Sequence, residues 1–141
     1  MPSFREQLRN NLVAMISLAV ALAALGYSTW RNERTELNRN LRVAGFELLT
    51  EIGSLQQVVF YAHFQPGDAR GDPRMGWAEV LTIVDLAELM PADVRREAKA
   101  LNDVWQADWP GLGDDPEAHR RIDAAIDAVR RTTLAEIRRL R

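Results

Sequence analysis

Between Arg9 and Arg31 the chain carries no charged side chain. The interval Asn10–Trp30 holds 21 residues, which as α-helix extends about 31 Å and matches the ~30 Å hydrocarbon core of a bilayer. Its centre, "LVAMISLAVALAAL" (Leu12–Leu25), is apolar on every helical face except at Ser17, so it has no polar side to turn toward water. Tyr27 and Trp30 follow where an interfacial aromatic belt belongs. The reading is a transmembrane helix. The competing reading is a cleaved secretory signal, with Arg5 and Arg9 as its basic start and "ALA" (Ala21–Ala23) as its cleavage site. Against it, the apolar run continues to Leu25 and the helical pattern goes on beyond.

After Trp30 the pattern changes period without a break. Leu37, Leu41, Ala44, Leu48, Ile52, Leu55, Val59 and Ala62 recur at alternating three- and four-residue steps, an a/d packing seam on a continuous helix. Val43, Phe46 and Leu49 widen the stripe, as a bundle helix requires. The proline- and glycine-rich "QPGDARGDPRMG" (Gln65–Gly76) then ends it. A second helix is expected from about 74 to 90, apolar on two faces (Trp77, Val80, Leu81, Val84, Ala87; then Ile83, Leu86, Met90) and therefore largely enclosed. Pro91 fits the first turn of a third helix, 91–109, with Val94, Ala98, Leu101 and Trp105 on its inner face. Asp115, Pro116 and Glu117 read as N-cap, first position and first-turn acid of a fourth, 116–140. No strand-like alternation occurs. The fold class is all-α: a transmembrane helix (residues 1–30 with its flank) continuing into an antiparallel up-and-down four-helix bundle (residues 31–141).

Charge is distributed unevenly. The net charge is only −2, so nothing argues for a nucleic-acid partner. Residues 43–117 are acidic, and residues 118–141 carry seven arginines. An up-and-down bundle brings its fourth helix back toward the start of the first. Arg138, Arg139 and Arg141 then join Arg31, Arg34, Arg39 and Arg42 in a basic collar suited to anionic lipid phosphates. The alternative is that these arginines only solvate helix ends. Four arginines follow the apolar segment against Arg5 and Arg9 before it, which favours a cytoplasmic domain over a periplasmic one.

Chemistry-bearing patterns are scarce. The chain has no cysteine, which removes disulfides, thiolate metal sites and cysteine nucleophiles. His63 and His119 stand alone at helix ends, and the nearby acids lack ligand spacing, so neither a metal nor another cofactor is expected. "RGD" (Arg70–Asp72) reads as loop, and "GLGDD" (Gly111–Asp115) as a turn. Asp85 interrupts an apolar helix and is a candidate pocket residue, or else a solvent-edge one. Trp109, beside Pro110, is a candidate partner contact.

The segment "NLVAMISLAVALAALGYSTWRNERTELNRN" followed by "GFELLTEIGSLQQVV" resembles an uncharacterised family of small proteobacterial single-pass membrane proteins with helical tails. The resemblance implies an inner-membrane location and brings no catalytic residues. The bundle is also loosely similar to the ligand-binding bundle of bacterial chemoreceptors, without their second membrane helix or signalling region. The expected function is that of a membrane-anchored adaptor or accessory subunit, not an enzyme, with the lipid bilayer and a protein of a larger membrane complex as partners. The alternative is a small-ligand sensor bundle.

Overall fold

The structure, a computed structural model, describes the backbone of residues 4–140 and the side chains of residues 11–140. It is all-helical among the described residues: α1 (Phe4–Phe64), α2 (Pro73–Ala87), α3 (Ala92–Asp108) and α4 (Pro116–Arg139), with short 3-10 turns at Ala69–Gly71 and Trp109–Gly111. The chain divides into two compact units, Met1–Asn38 and Arg39–Arg141.

The first unit is the leading part of α1. Its side chains from Asn11 to Leu37 are exposed, including Leu12, Val13, Met15, Ile16, Leu18, Val20, Leu22 and Leu25. The hydroxyls of Thr29 and Thr35 donate back to the carbonyls of Leu25 and Arg31, at 3.0 and 2.9 Å, so these polar groups are satisfied within the helix.

The second unit is built on a core to which all four helices contribute at three- and four-residue spacing. Leu48, Ile52, Leu55 and Val59 of α1 are fully buried, with Val80 and Ile83 of α2, Val94, Leu101 and Trp105 of α3, and Ile122, Ile126 and Val129 of α4. Contacts between α1 and α4 run in opposite sequence directions. Arg42 donates to the Leu140 carbonyl, Ile137 fills the space beside Gly45, Gln56 donates to Asp123 at 2.6 Å, and His63 meets His119. Leu55 of α1 likewise meets Gly76 of α2, and Ala62 meets Gly71 of the 3-10 turn before α2. Trp105 of α3 lies on Gly76, and Arg121 of α4 bonds Asp108 of α3 at 2.7 and 2.8 Å.

Helix starts follow the local chemistry. The Asp72 carboxylate accepts from the Arg74 N–H, and Asp115 from the Glu117 N–H, both at 2.9 Å; Pro73 and Pro116 occupy the following position, where no N–H is needed. Gly67, at φ 93°, supplies the left-handed residue that turns the chain after α1. Three expectations are corrected. Pro91 is the N-cap of α3, not its first helical residue, because its extended ψ of 158° sets the chain's entry into the helix. The helical run of α2 stops at Ala87, and residues 88–90 form a turn that still buries Met90. Finally, α2 is not enclosed: Leu81 is exposed and Trp77, Val84 and Leu86 are only half-buried, since neighbours fully cover just the face bearing Gly76, Val80, Ile83 and Ala87.

Gly76 is fixed by close approach. A methyl group there would lie 2.3 Å from Cζ2 of the fully buried Trp105. Gly76→Ala should therefore destabilise the protein by about 1–3 kcal/mol, despite the ~1 kcal/mol that alanine gains in helix propensity. Leu48→Ala and Ile52→Ala should each cost about 2–5 kcal/mol, whereas Phe46→Ala, at an exposed position, should stay within about 0.5 kcal/mol. Urea unfolding monitored by circular dichroism measures all four.

Candidate functional site

Residues Ser54, Gln57, Val58 and Tyr61 follow one another along one flank of α1, beside the buried seam. Opposite them stand Met75 and Glu79 of α2, and Ala69 and Arg70 of the 3-10 turn that precedes it. Together they line a cleft of about 410 Å³ within the second unit. Gly71 and Gly76 let α2 and its leading turn come close to α1: a Cβ at Gly71 would stand 2.4 Å from the Ala62 nitrogen.

The two ends of the cleft differ chemically. At one end Arg70 is held from three sides. Its Nε and Nη2 donate to the two Asp68 oxygens at 3.1 and 2.7 Å, its Nη1 donates to the Tyr61 hydroxyl at 2.9 Å, and its guanidinium carbon lies 3.9 Å from the centre of the Tyr61 ring. The Arg70 side chain and backbone N–H together hold the Asp68 carboxyl down to about 2. Glu79 of α2 lines the cleft away from that cluster. The neighbouring Glu51 carboxyl first, then burial, push Glu79 up to about 7.

A second cluster lies where α1 ends and α4 begins. The imidazoles of His63 and His119 stack with centroids 4.0 Å apart and planes 10° from parallel, and Phe64 presents its edge to both. Burial and the neighbouring His63 lower the His119 value, opposed by Asp123. Both Nδ1 atoms are buried without a hydrogen-bond partner among the described residues. The histidines thus form a pair, where the sequence shows two isolated residues. Antiparallel helices bring the end of the first and the start of the fourth to the same level, and that was the available signal. No group of three or more His, Asp or Glu suited to a metal ion occurs among the described residues.

The residues singled out in the sequence are placed as follows. Leu48, Ile52, Leu55 and Val59 are in the core, Leu41 is half-buried against it, and Leu37 is exposed. Tyr27 and Trp30 rings are 6.2 Å apart, Arg34 lies 4.8 Å over the Trp30 ring, and Arg31 is exposed. Arg139 pairs with Glu136, Arg138 is exposed, and Arg141 lies outside the described residues. Arg31 and Arg34 belong to one unit and Arg138 and Arg139 to the other. Asp85 is exposed and away from the cleft lining. Trp109 is half-buried, its ring edge-on to Trp77 at 6.4 Å. The tripeptide Arg70–Asp72 is more than loop filler: it supplies a cleft residue, a close-packed glycine and the α2 cap.

Comparison with protein families, with curated proteins and with solved structures returns no match.

Glu79 and His119 act on stability in opposite directions. Glu79 is raised in the folded state, so its contribution is complete below about 4.5 and is lost as the pH rises through about 7. His119 is lowered, so its contribution is complete above 6.5 and is lost as the pH falls below that value. Urea midpoints measured across this range should fall less on the alkaline side for Glu79→Gln than for wild type. They should fall less on the acid side for His119→Gln.

Proposed function

We propose that the chain is a single-span membrane protein whose residues 39–140 form an antiparallel up-and-down four-helix bundle acting as an adaptor or accessory subunit of a bacterial inner-membrane complex. The observation that carries the anchor is the leading part of α1. Its best 18-residue window has a mean hydropathy of 1.9 and is 0% buried. Eight large apolar side chains between Leu12 and Leu25 stand open on all sides. Burying such a side chain is worth about 1.5–3 kcal/mol, so leaving eight in water forgoes about 12–24 kcal/mol, on the scale of the whole 5–15 kcal/mol that stabilises a typical domain. Lipid removes that cost.

The adaptor role is supported by an outward stripe on α1. Val43, Phe46, Phe60 and Phe64 are 52, 55, 48 and 61% exposed, and they share one side of the helix with Thr50 and Gly53. Aromatic side chains so aligned suit an amphipathic partner helix. The arginine flank after Trp30 favours a cytoplasmic domain, and the tail arginines favour an anionic leaflet. A second reading, ligand sensing, rests on the cleft between α1 and α2, whose volume falls in the range of small-molecule sites.

The full-length protein should stay with membranes through carbonate washing and retain its N-terminal mass. A soluble species beginning near Ala24 would return the apolar segment to a signal peptide. A C-terminal fluorescent reporter should be active and a C-terminal alkaline phosphatase inactive; the reverse pattern places the domain in the periplasm. A partner recovered from native membranes in mild detergent should be lost on Phe46→Asp with Phe60→Asp, at unchanged helix content.

A further inference from the structure

From Val43 to Phe64 the outward side of α1 differs from the outer faces of the other helices. Of its exposed residues only Glu47 is charged, and Glu47 lies in one row with Ser54 and Tyr61 of the cleft wall, each seven residues on. By contrast α3 turns out Arg95, Lys99 and Asp103, α4 turns out Arg120, Arg131 and Arg138, and α2 has Asp85 one turn beyond its exposed Leu81. Phe46, Gly53 and Phe60 recur at seven-residue intervals, the repeat of a seam between helices, and the Phe60 and Phe64 rings lie 5.0 Å apart in one aromatic patch. Resting on the anchored adaptor reading above, we propose that the occupant of this stripe is a second copy of the chain, lying parallel and in register, with the two α1 helices crossing at Gly53.

Three observations select that occupant. First, glycine weakens a helix interior relative to alanine. Gly45 and Gly76 are each explained from within, by Ile137 and Trp105 pressed against them, but a methyl group added at Gly53 would meet nothing within 4 Å. The bare backbone at Gly53 serves an approach from outside, with Phe46 and Phe60 of a crossing helix packed on either side of it. Second, the stripe fits its own image. It carries no charge, so two copies meet without like-charge repulsion. The Thr50 hydroxyl already donates to the Phe46 carbonyl at 3.1 Å, so it is covered without losing its partner. Copies anchored through the same leading segment run in the same direction, and a twofold axis then sets each residue opposite its counterpart. Third, the stripe is small. Taking an aromatic side chain at about 150–250 Å², three half-exposed phenylalanines and a valine leave roughly 300–400 Å² per copy. A pair removes about 600–800 Å², below the ~1,200 Å² at which stable soluble interfaces begin. Such a stripe needs partners already confined and aligned, as copies sharing one bilayer are.

The chain has no cysteine, so single cysteines report the pairing. The test reconstitutes purified full-length protein in phosphatidylcholine liposomes and oxidises it mildly, with Val43→Cys and Thr50→Cys on the stripe and Lys99→Cys on α3 as the reference. A disulfide forms only where Cα atoms come within about 7 Å. The expected result is that both stripe cysteines form covalent dimers at least about tenfold faster than Lys99→Cys. Gly53→Leu, added to Thr50→Cys, should bring that rate down to the Lys99→Cys level at unchanged helix content. In native membranes, p-benzoylphenylalanine in place of Phe60 should join two copies on irradiation. If the stripe cysteines react no faster than Lys99→Cys while the Phe60 photoprobe joins a different protein, the second copy is overturned and the stripe remains the adaptor's partner surface. Stripe cysteines that pair as fast with Gly53→Leu as without it overturn the seam centred on Gly53. No stripe adduct in liposomes or in native membranes overturns the homodimer and the adaptor reading together.

Discussion

The contact on which the helical unit depends is the seam of α1. Leu48, Ile52, Leu55 and Val59 have no exposed surface, and the same cluster holds the inner faces of α2, α3 and α4. Burying four such side chains contributes on the order of 6–12 kcal/mol before entropy is set against it, comparable to the whole net stability of a small domain. The seam also fixes the rotation of α1 about its axis. With Leu55 and Val59 turned inward, Ser54, Gln57 and Tyr61 must fall on the flank facing α2, and Phe46, Phe60 and Phe64 on the outer side. One helical register thus sets the core, the cleft and the exposed stripe together.

Glycine decides how near α2 can come. Gly71 lies against the backbone of Ala62, and Gly76 against the ring of Trp105. Beside these close contacts α1 and α2 present larger side chains, Tyr61, Met75 and Glu79, and there the cleft opens. Its electrostatics are local. Arg70 and Asp68 neutralise each other at one end, while the Glu79 carboxyl lines the cleft without a salt-bridge partner among the described residues. The cleft therefore has a direction even though the chain as a whole is nearly neutral.

Much of the secondary structure was legible because it rests on short-range rules. The three-four repeat from Leu41 to Ala62 marked the inner face of α1, and Asp115–Pro116 marked the start of α4, whereas the cap at Asp72 reads in the sequence as loop. The repeat overreached at Leu37, which is exposed, since periodicity records a face and not whether a neighbour covers it. For the same reason Leu81 looked internal and is not. The cleft was not legible, and the histidine stack only as far as the antiparallel order of the first and fourth helices implies it. Each depends on the axial offset between two helices, set by the 3-10 turn at Ala69–Gly71 and by the packing at Gly71, Gly76 and Gly45. Glu51 and Glu79, or His63 and His119, carry no mark in the sequence that pairs them.

The contacts from Arg42–Leu140 to His63–His119 clasp the first helix of the unit to the last. Such a clasp has a consequence for synthesis. During translation α2 and α3 emerge and can pair at once, being sequence neighbours, but the face of α1 that belongs to α4 has no partner until residues near Arg139 have left the ribosome. Loop-closure entropy makes this long-range pairing the slow step. Until it closes, part of the α1 apolar face stays open to other chains in its surroundings.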